Sequence, residues 1–309
     1  MFLTHSYRIQ YYTGSFFACS IYISKDMSSF LLNMSEWKTW NSNNYSNDIK
    51  EVIQTTQLDR LYANQWIKYY PRDRVELFLD APTLVKSRFI TKDPRYSILF
   101  KLNTKRHFQI ISSIPSIDIP YSQKQNRLVW RGVSTGYGFG NDIPFRPNSR
   151  ETLIQKFCHT TNPQIDIGLS GLVQNGRTKK QMYQKYVKSS LSIQDMLKCK
   201  YLLSVEGNDV ASNLKWCLYS NSVVFMPVPT IESWIMESHL IPYYHYIPIR
   251  NDFSDLEEKI QWCDHHPESC ERISQQATQY MNLFLDNENE LYIMKKVLQY
   301  YLDHVEFRP

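Results

Sequence analysis

The stretch that decides the fold runs from Tyr201 to Pro248, and it opens with the apolar strand-like segment Tyr201-Leu202-Leu203-Ser204-Val205. A polar turn follows, Glu206-Gly207-Asn208-Asp209, and after it comes the helical pattern of Val210 to Tyr219. A second apolar strand spans Ser222 to Pro229. Strand, turn and helix make half of a nucleotide-binding βαβ unit. Because the first N–H groups of a helix lack partners within it, they bind phosphate, and the stretch therefore predicts a nucleotide site.

The same alternation of strands and helices extends on both sides of this stretch. Upstream, strands are predicted at Arg127 to Gly132, which runs into a glycine turn, and at Ile165 to Leu169. The predicted helices are Ser149 to His159 with Asn148 or Ser149 as N-cap, Ser192 to Cys199 with Ser192 as N-cap, one opened by a Ser254–Glu257 capping box, Pro267 to Leu285, and Glu288 to Val305. Such alternation predicts a parallel sheet covered on both faces.

The N-terminal half also mixes helix and strand patterns. Asp48 to Tyr70 has a helical distribution of apolar residues. Short strands are predicted at Val75 to Leu79, Ile98 to Phe100 and Phe108 to Ile111. We therefore expect an α/β N-terminal half that ends near residue 125, and a length of 309 residues fits one large domain or two of ordinary size.

Composition narrows the classes of function. A net charge of +5 suits a polyanionic small ligand such as a nucleotide diphosphate and is too small and scattered for nucleic-acid binding. The densest basic run, Arg177 to Lys188, reads either as a solvated helix face or as a site for an anionic acceptor. The 22 tyrosines suit wet clefts that bind sugars or bases, or a tyrosine-rich core.

Neither a metal site nor a membrane segment is predicted. Cys263-Asp264-His265-His266 and the nearby Cys270 fit no common zinc spacing, and six cysteines in a chain of this length favour a reducing compartment. No apolar run approaches the roughly 20 residues of a membrane span, and the first 20 residues lack a secretory pattern. We therefore expect a cytoplasmic protein, bacterial or viral in a host cytoplasm, with no transmembrane segment.

An ordered set of short motifs resembles the Rumi type of glycosyltransferase. This type comprises the protein O-glucosyltransferases, the fungal capsule-associated xylosyltransferase and bacterial lipopolysaccharide-modifying enzymes. The resemblance covers about residues 125 to 285 and rests on Trp130-Arg131-Gly132 with Ser134-Thr135, the Lys200-Tyr201 strand that enters Gly207, Ser222-Val223-Val224-Phe225, and His245-Tyr246-Ile247-Pro248 followed by Asp252, Ser254 and Asp255.

The resemblance implies an α/β fold of the GT-B type, with two Rossmann-like lobes around a central cleft. The implied lobes are residues 1–125 on the acceptor side and residues 126–285, which bind the nucleotide sugar. Residues 286–309 form a C-terminal helix that can pack back on the N-terminal lobe. It also implies inversion at the anomeric carbon without a bound metal. Transfer without a metal is physically reasonable, because arginine, lysine and helix N–H dipoles can neutralise a diphosphate leaving group.

The donor-binding residues come from the turns of the second lobe. Arg131 follows a strand and precedes Gly132, so its guanidinium can reach phosphates from the turn, or it can form a surface ion pair. The remaining predicted donor contacts are Gly132, Ser134, Thr135, Glu206, Gly207, Asn208, Ser212, Asn213, Lys215 and Glu232. The chain departs from the resembling glucosyltransferases at Asn213, where their helix carries a diphosphate-binding arginine. Lys215, two residues on, is the predicted substitute, and otherwise Arg131 carries more of the contact.

An inverting transfer needs a general base that takes the proton of the acceptor hydroxyl. In the resembling enzymes this base is an aspartate at the end of an N-lobe strand, followed two residues later by proline. Leu79-Asp80-Ala81-Pro82 reproduces the pattern, although Leu79 replaces the usual arginine. Asp80 is therefore the predicted base, with Asp93 and Asp118 as alternatives, and a strand-terminating structural aspartate is the other interpretation of Asp80.

Together these features predict an inverting transferase that moves xylose or glucose from a UDP-sugar to a hydroxyl of a glycan or glycolipid. A non-catalytic module that binds nucleotide sugar or glycan is the alternative, and Asn213 is the departure that favours it. A kinase-like or dinucleotide enzyme is disfavoured, because no phosphate-binding glycine motif opens a helix; the glycines at 136, 138 and 140 have no helix at the right distance.

Overall fold

The structure is a computed structural model that describes residues 3–13, 19–22, 31–34, 38, 46–63, 65–70, 81–90, 96–136, 149–173 and 177–308. The chain divides into two compact units. Unit 1 comprises Met1–Arg106, Ile231–Met236 and Leu283–Pro309, and unit 2 comprises His107–Thr230 and Glu237–Asn282. The predicted lobes were contiguous, whereas each observed unit is assembled from separate segments of the chain.

The elements of the described residues are as follows. The α-helices are α1 (His5–Thr13), α2 (Ser46–Thr56), α3 (Thr104–His107), α4 (Ile114–Ile117), α5 (Arg150–Phe157), α6 (Arg177–Tyr183), α7 (Ile193–Leu197), α8 (Leu214–Leu218), α9 (Leu256–His265), α10 (Pro267–Asn282) and α11 (Asn287–His304). The strands are β1 (Cys19–Tyr22), β2 (Leu31–Asn33), β3 (Trp66–Tyr70), β4 (Thr83–Val85), β5 (Ser87–Phe89), β6 (Ser97–Leu99), β7 (Gln125–Val133), β8 (Ile165–Gly171), β9 (Cys199–Leu203), β10 (Val223–Met226), β11 (Ile231–Ser233), β12 (Ile247–Pro248) and β13 (Val305–Arg308). Short 3₁₀-helices lie at Leu58–Arg60, Gln109–Ser113, Tyr121–Gln123, Gln184–Tyr186 and Glu237–His239.

Unit 2 is built on a five-stranded parallel sheet in the order β12-β10-β9-β7-β8. Numbered along the chain, this is the 2-1-3-4-5 order of doubly wound α/β folds. The first strand, β7, lies between β8 on one side and β9 on the other. The chain therefore reverses the direction in which it adds strands between β8 and β9. The predicted parallel sheet is confirmed.

Apolar residues on both faces of these strands explain why the sheet is buried. Leu202 of β9 and Val224 of β10 are buried on one face. The opposite face forms the main core of unit 2, where strand residues pack with α5, α9 and α10. Typical members of this core are Trp130, Ile167, Tyr201, Phe225, Leu153, Ile154, Leu256, Ile260 and Ile273. Continuous apolar strands are typical of parallel sheets covered by helices.

A buried carboxylate joins the three segments of unit 1. Glu290 of α11 accepts hydrogen bonds from Arg8 of α1 at 2.5 Å, from Lys101 at 2.8 Å and from the indole N–H of Trp234. The Tyr12 ring stacks on the Trp234 ring with centroids 4.0 Å apart. A buried charge requires such partners, so the network explains why Ile231–Met236 and Leu283–Pro309 belong with the N-terminal segment.

The sheets of unit 1 are smaller. The order β2-β3-β4-β6 forms a mixed four-stranded sheet, in which β2 and β3 are antiparallel and the other pairs are parallel. Strand β1 pairs in parallel with β13, and β5 pairs with β11 in antiparallel fashion. A mixed α/β unit is therefore present here as well.

Several predicted elements are confirmed with small shifts of their ends. The strands predicted at Arg127, Ile165, Tyr201, Ser222 and Ile98 correspond to β7, β8, β9, β10 and β6. Two serines are N-caps as predicted. The Ser149 hydroxyl accepts from the N–H groups of Glu151 and Thr152, and the Ser192 hydroxyl accepts from that of Asp195.

Other predicted elements were wrong. Residues 109–113 form a 3₁₀-helix and not a strand, and the segment 48–70 divides into α2, a 3₁₀-helix and β3. The N-cap of α9 is Asp255, and its side chain makes no capping hydrogen bond, so the predicted Ser254 box is not formed. The strand predicted at Val75 to Leu79 lies outside the described residues.

The helix predicted to follow the Gly207 turn begins only at Leu214. Polar side chains explain this delay. The Asp209 carboxylate accepts from the N–H of Val210, and Asn213 donates to the carbonyl of Leu203. Such side-chain bonds to the backbone compete with helix formation. The prediction that Gly207 directly precedes a helix N-terminus was therefore wrong.

Candidate functional site

The reversal of strand order in unit 2 creates the candidate site. Strands β7 and β9 are neighbours, but β8 lies on the far side of β7, so the chain leaves the two strands in opposite directions. In open parallel sheets, ligands bind in the crevice beyond the carboxyl ends of strands at such a switch point. The residues that follow these ends are Ser134-Thr135-Gly136 after β7 and Ser204 to Asp209 after β9.

Arg150, the first residue of α5, bridges the two strand ends. Its Nη1 donates to the carbonyl of Val133 at 3.0 Å and to the hydroxyl of Thr135 at 2.9 Å. Its Nη2 donates to the carbonyl of Val205 at 2.8 Å, and its Nε donates to that of Glu206 at 3.2 Å. The guanidinium also lies 5.6 Å from the centroid of the Trp130 ring. A buried positive charge therefore sits at the switch point.

The two turns approach each other closely at glycine positions. Gly136 has φ of +100°, and a Cβ there would lie 3.0 Å from the carbonyl oxygen of Gly207. A Cβ at Gly207 would lie 2.7 Å from the Thr135 hydroxyl oxygen and 3.0 Å from Nη2 of Arg150. The N–H of Gly136 donates to the side-chain oxygen of Asn208 at 3.0 Å. Both glycines are needed for this packing.

Two further predicted residues brace these turns. The Ser134 hydroxyl donates to the carbonyl of Val173 at 3.0 Å and accepts from the N–H of Val173 at 2.8 Å. The Glu206 carboxylate accepts from the N–H of Thr230 at 2.8 Å and from the Thr230 hydroxyl. The structure thus brings together Ser134, Thr135, Glu206, Gly207 and Asn208. Their contacts with a donor stay a prediction.

The structure pairs Arg131 with Asp166. Its Nη2 donates to both carboxylate oxygens at 3.0 Å, and its Nε donates to the carbonyl of Ser189 at 3.0 Å. Burial raises the pKa of Asp166, but Arg131 and Lys188 outweigh it and hold that pKa below its usual range. The ion-pair interpretation of Arg131 therefore describes its contacts, and a phosphate contact stays a prediction.

Gly132 and Asn213 also have structural roles within unit 2. Gly132 lies inside β7 and not in a turn, because the strand continues to Val133. A Cβ at Gly132 would lie 2.4 Å from the Trp130 ring, so the glycine makes room for that ring. The amide of Asn213 donates to the carbonyl of Leu203 at 3.0 Å. It also accepts from the Ser204 hydroxyl at 3.1 Å, which ties α8 to the end of β9.

The remaining donor candidates differ in exposure and location. Ser212 is exposed. Lys215 is buried, with its amine 3.5 Å from the Glu237 carboxylate and 5.4 Å from the Phe108 ring centroid. Glu232 belongs to unit 1, where Arg88 donates to it at 2.8 Å. The contacts of all three with a donor stay predictions.

The predicted base, Asp80, and the alternative Asp93 lie outside the described residues. The third candidate, Asp118, is buried in unit 2, where its carboxylate pairs with Lys124 and accepts from the N–H of Asn221 at 2.7 Å. This carboxylate joins separate segments of unit 2, which accounts for its burial.

Neither a cluster of metal ligands nor a membrane-crossing helix occurs in the part of the chain that the structure describes. That part of the chain contains no group of three or more His, Cys, Asp or Glu side chains arranged to hold a metal ion. Within the same residues, no helix combines the length and the apolar character that crossing a membrane requires.

Comparison with known proteins gives the family. The model of the family described as Glycosyl transferase family 90 matches residues 114–309. The chain belongs to this family. It is 32% identical over 262 residues to the O-glucosyltransferase LpsA of Dichelobacter nodosus, across 85% of this chain and 73% of that protein. The resemblance to the family of the protein O-glucosyltransferases is thereby confirmed.

Two other relatives share a smaller part of their length with this family 90 chain. Protein O-glucosyltransferase 2 of Danio rerio is 29% identical over 196 residues, which cover 63% of this chain and 38% of that protein. Uncharacterized protein 179R of Invertebrate iridescent virus 6 is 28% identical over 204 residues, which cover 59% of this chain and 17% of that protein. Family membership supports glycosyl transfer as the general activity.

Arg150 is the site residue that sequence reasoning missed. A signal was present, because Arg150 follows the N-cap Ser149 at the start of the helix that comes next in the chain after the glycine-containing segment that follows β7. The strand order was needed to show that this helix start faces the end of β9 as well. The family 90 match includes Arg150 but does not by itself give it a role.

Proposed function

We propose that this family 90 protein is an inverting glycosyltransferase that moves glucose or xylose from a UDP-sugar to a hydroxyl of a glycan or glycolipid. One observation carries the proposal: Arg150 is buried at the switch point of a doubly wound sheet and bridges the ends of β7 and β9. Anionic nucleotide ligands suit such positions. Glucose is chosen from the similarity to proteins named O-glucosyltransferases, and xylose from the motifs' resemblance to a type of glycosyltransferase that includes the capsule-associated xylosyltransferase.

The chemistry of donor activation supports a site of this kind. Cleavage of the sugar–phosphate bond leaves negative charge on the UDP diphosphate. A fixed guanidinium in a partly buried crevice stabilises that charge more strongly than water does. Arg150 is held by backbone carbonyls of both strand ends, so it needs no rearrangement to act. We expect this charge to be neutralised without a divalent cation.

The second half of the proposal is the attack by the acceptor. The base would take the acceptor proton while the hydroxyl oxygen attacks the anomeric carbon from the face opposite the diphosphate, and the configuration inverts. Asp80 is the proposed base. We propose a GT-B arrangement, in which Asp80 belongs to the acceptor-side lobe and the donor binds to unit 2.

The decisive experiment measures UDP release from UDP-glucose, UDP-xylose, UDP-galactose and UDP-N-acetylglucosamine, with water or added glycan as acceptor. We expect release from UDP-glucose or UDP-xylose, and activity that persists in EDTA. Full loss in EDTA with recovery in manganese would contradict the metal-independent mechanism. If calorimetry shows that UDP binds but no sugar is released or transferred, the result favours the alternative function, a non-catalytic binding module.

A further inference from the structure

The net positive charge of the chain is concentrated in one short segment of unit 2. The whole chain has 35 lysines and arginines against 30 aspartates and glutamates, which gives the net charge of +5. Residues 177–190, which we name the basic segment, contain no aspartate or glutamate. Their basic residues are as many as the whole excess, namely Arg177, Lys179, Lys180, Lys185 and Lys188. The charges of the rest of the chain therefore balance, and those of the basic segment do not.

The basic segment is fixed to the body of unit 2. It begins with α6 and continues through the 3₁₀-helix Gln184–Tyr186. The Tyr183 hydroxyl at the end of α6 donates to the Glu151 carboxylate of α5. Beyond the 3₁₀-helix, the N–H of Lys188 donates to the carbonyl of Leu169 in β8 at 2.8 Å. The sheet and α5 thus hold both halves of the segment in place.

Positive charge is also in excess where the basic segment meets the sheet. Arg131 donates to both oxygens of Asp166 at 3.0 Å. The Lys188 amine lies 3.2 Å from this carboxylate, and Nη2 of Arg127 lies 3.3 Å from it. Nε of Arg127 is buried and has no hydrogen-bond partner among the described residues. One carboxylate faces three cations here, so positive charge and an unused donor remain for an anionic group.

The exposed part of the segment places lysines on either side of an apolar side chain. Lys180 and Lys185 are exposed, and neither forms a salt bridge with any residue that the structure describes. Met182 lies between them in the chain and is 60% exposed. Like charges without a counter-charge repel each other, and an anionic partner relieves that repulsion. The matching partner is therefore negative and also offers an apolar contact.

We propose that the basic segment binds the phosphate head groups of an anionic lipid membrane. A group of four to eight lysines and arginines is typical of segments that bind such surfaces. An apolar residue among them, here Met182, would enter the boundary between the head groups and the acyl chains. The proposal rests on the charge and exposure of these residues and is independent of the proposed transfer reaction.

A lipid surface fits these residues better than other anions do. Nucleic acids are bound through arginine contacts with bases and through exposed aromatic rings that stack on them. The exposed residues here are lysines and Met182, and Tyr183 is buried. A free phosphate ion offers no apolar contact to Met182. A membrane supplies many phosphates together with an apolar interior, so it satisfies both features.

The experiment measures co-sedimentation of the full chain with phosphatidylcholine vesicles that are either pure or contain about 30% phosphatidylglycerol. Lys180→Gln/Lys185→Gln removes the two exposed charges, and Lys180→Arg/Lys185→Arg keeps them. Met182→Ser tests the apolar contact. The matched control is Lys198→Gln/Arg272→Gln, which lowers the net charge equally at side chains of unit 2 that are 53% and 62% exposed.

We expect the wild type to bind the anionic vesicles and not the pure phosphatidylcholine vesicles, and to be released by about 0.5 M salt. Lys180→Gln/Lys185→Gln should weaken binding about 25-fold, because each lysine near an anionic surface contributes about fivefold, or about 1 kcal/mol. Met182→Ser should also weaken binding. The arginine double variant and the matched control should stay within about threefold of the wild type.

Equal binding to both kinds of vesicle, or undiminished binding by Lys180→Gln/Lys185→Gln, would overturn the proposal. An equal loss in the matched control would do so too, since net charge alone would then explain the binding. Binding of single-stranded DNA or of inorganic phosphate in place of vesicles, if it depends on Lys180 and Lys185, would replace the membrane as the partner. Vesicle binding by a chain that releases no UDP from UDP-sugars would support the proposal and contradict the proposed function instead.

Discussion

Replacement of Arg150 by lysine tests the switch-point site most directly. The substitution keeps the positive charge but removes the planar fork that bridges Val133 and Thr135 on one side and Val205 and Glu206 on the other. A lysine amine carries its donors on one nitrogen, so it can hydrogen-bond to the end of β7 or of β9 but not to both. At least two hydrogen bonds from a charged donor are then lost.

The magnitude follows from the contacts. A hydrogen bond to a charged group contributes about 1.5–3 kcal/mol, and water partly replaces the lost bonds, so we expect Arg150→Lys to lower the unfolding free energy by about 3 kcal/mol. UDP should bind more weakly by about 1.5–3 kcal/mol, which is roughly a 10- to 150-fold rise in Kd. Urea unfolding followed by circular dichroism and calorimetric titration with UDP, both at 25 °C, measure the two quantities.

The matched control is Arg131→Lys, which alters an arginine of the same sheet that is paired with Asp166. If the switch-point reasoning is right, this variant loses some stability but keeps its UDP affinity within about threefold. Wild-type UDP affinity in folded Arg150→Lys, together with a large loss in Arg131→Lys, would refute the role of Arg150. It would instead support the phosphate contact that the sequence predicts for Arg131.

Four further outcomes are expected. Asp80→Asn should reduce transfer by roughly 10²–10⁴ with little change in UDP affinity, and a near-normal rate would remove Asp80 as the base. Gly207→Ala places a Cβ 2.7 Å from the Thr135 hydroxyl oxygen and should weaken UDP binding about tenfold or more in calorimetry. Burial lowers the pKa of His245 in the folded protein from 6.5 to about 4. The stability that the neutral ring contributes is therefore full above pH 6.5, and it falls by about 3 kcal/mol as the pH drops to 4. Urea unfolding of His245→Asn should lack this part of the pH dependence. Glu290→Gln should lower the unfolding free energy of unit 1 by about 3–5 kcal/mol, because Arg8 and Lys101 lose their buried counter-charge, and unchanged urea stability would contradict that account.

Sequence reasoning succeeded where local patterns carry the information. The segments that became β7, β9 and β10 contain the apolar runs Leu128 to Trp130, Tyr201 to Leu203 and Val223 to Met226, and such runs are typical of a covered sheet. Ser149 and Ser192 were identifiable as N-caps because capping depends on a side chain and the next few N–H groups alone. The turn residues Ser134, Thr135, Glu206, Gly207 and Asn208 were also identifiable, because they follow the ends of β7 and β9.

Sequence reasoning does not show partners that come from distant segments. Lys215 was predicted to substitute for the arginine that is missing at Asn213, and this contact stays a prediction, but its observed partner Glu237 belongs to a later segment. Glu232 was assigned to the nucleotide lobe by its position in the chain, but its pairing with Arg88 puts it in unit 1. Both carboxylates are buried, and the partner of a buried charge is set by packing and not by sequence distance.

The sequence by itself determined that the chain forms mixed α/β units with a parallel sheet, because hydrophobic period, caps and turn residues act over short distances. It also determined the turns that bear the candidate site and, through ordered motifs, the family. Only the tertiary structure decided that β9 lies beside β7 and not beside β8, since strand order depends on which packing of helices buries the most apolar surface. That single choice created the switch point and brought Arg150 against Val205, which lies 55 residues away in the chain.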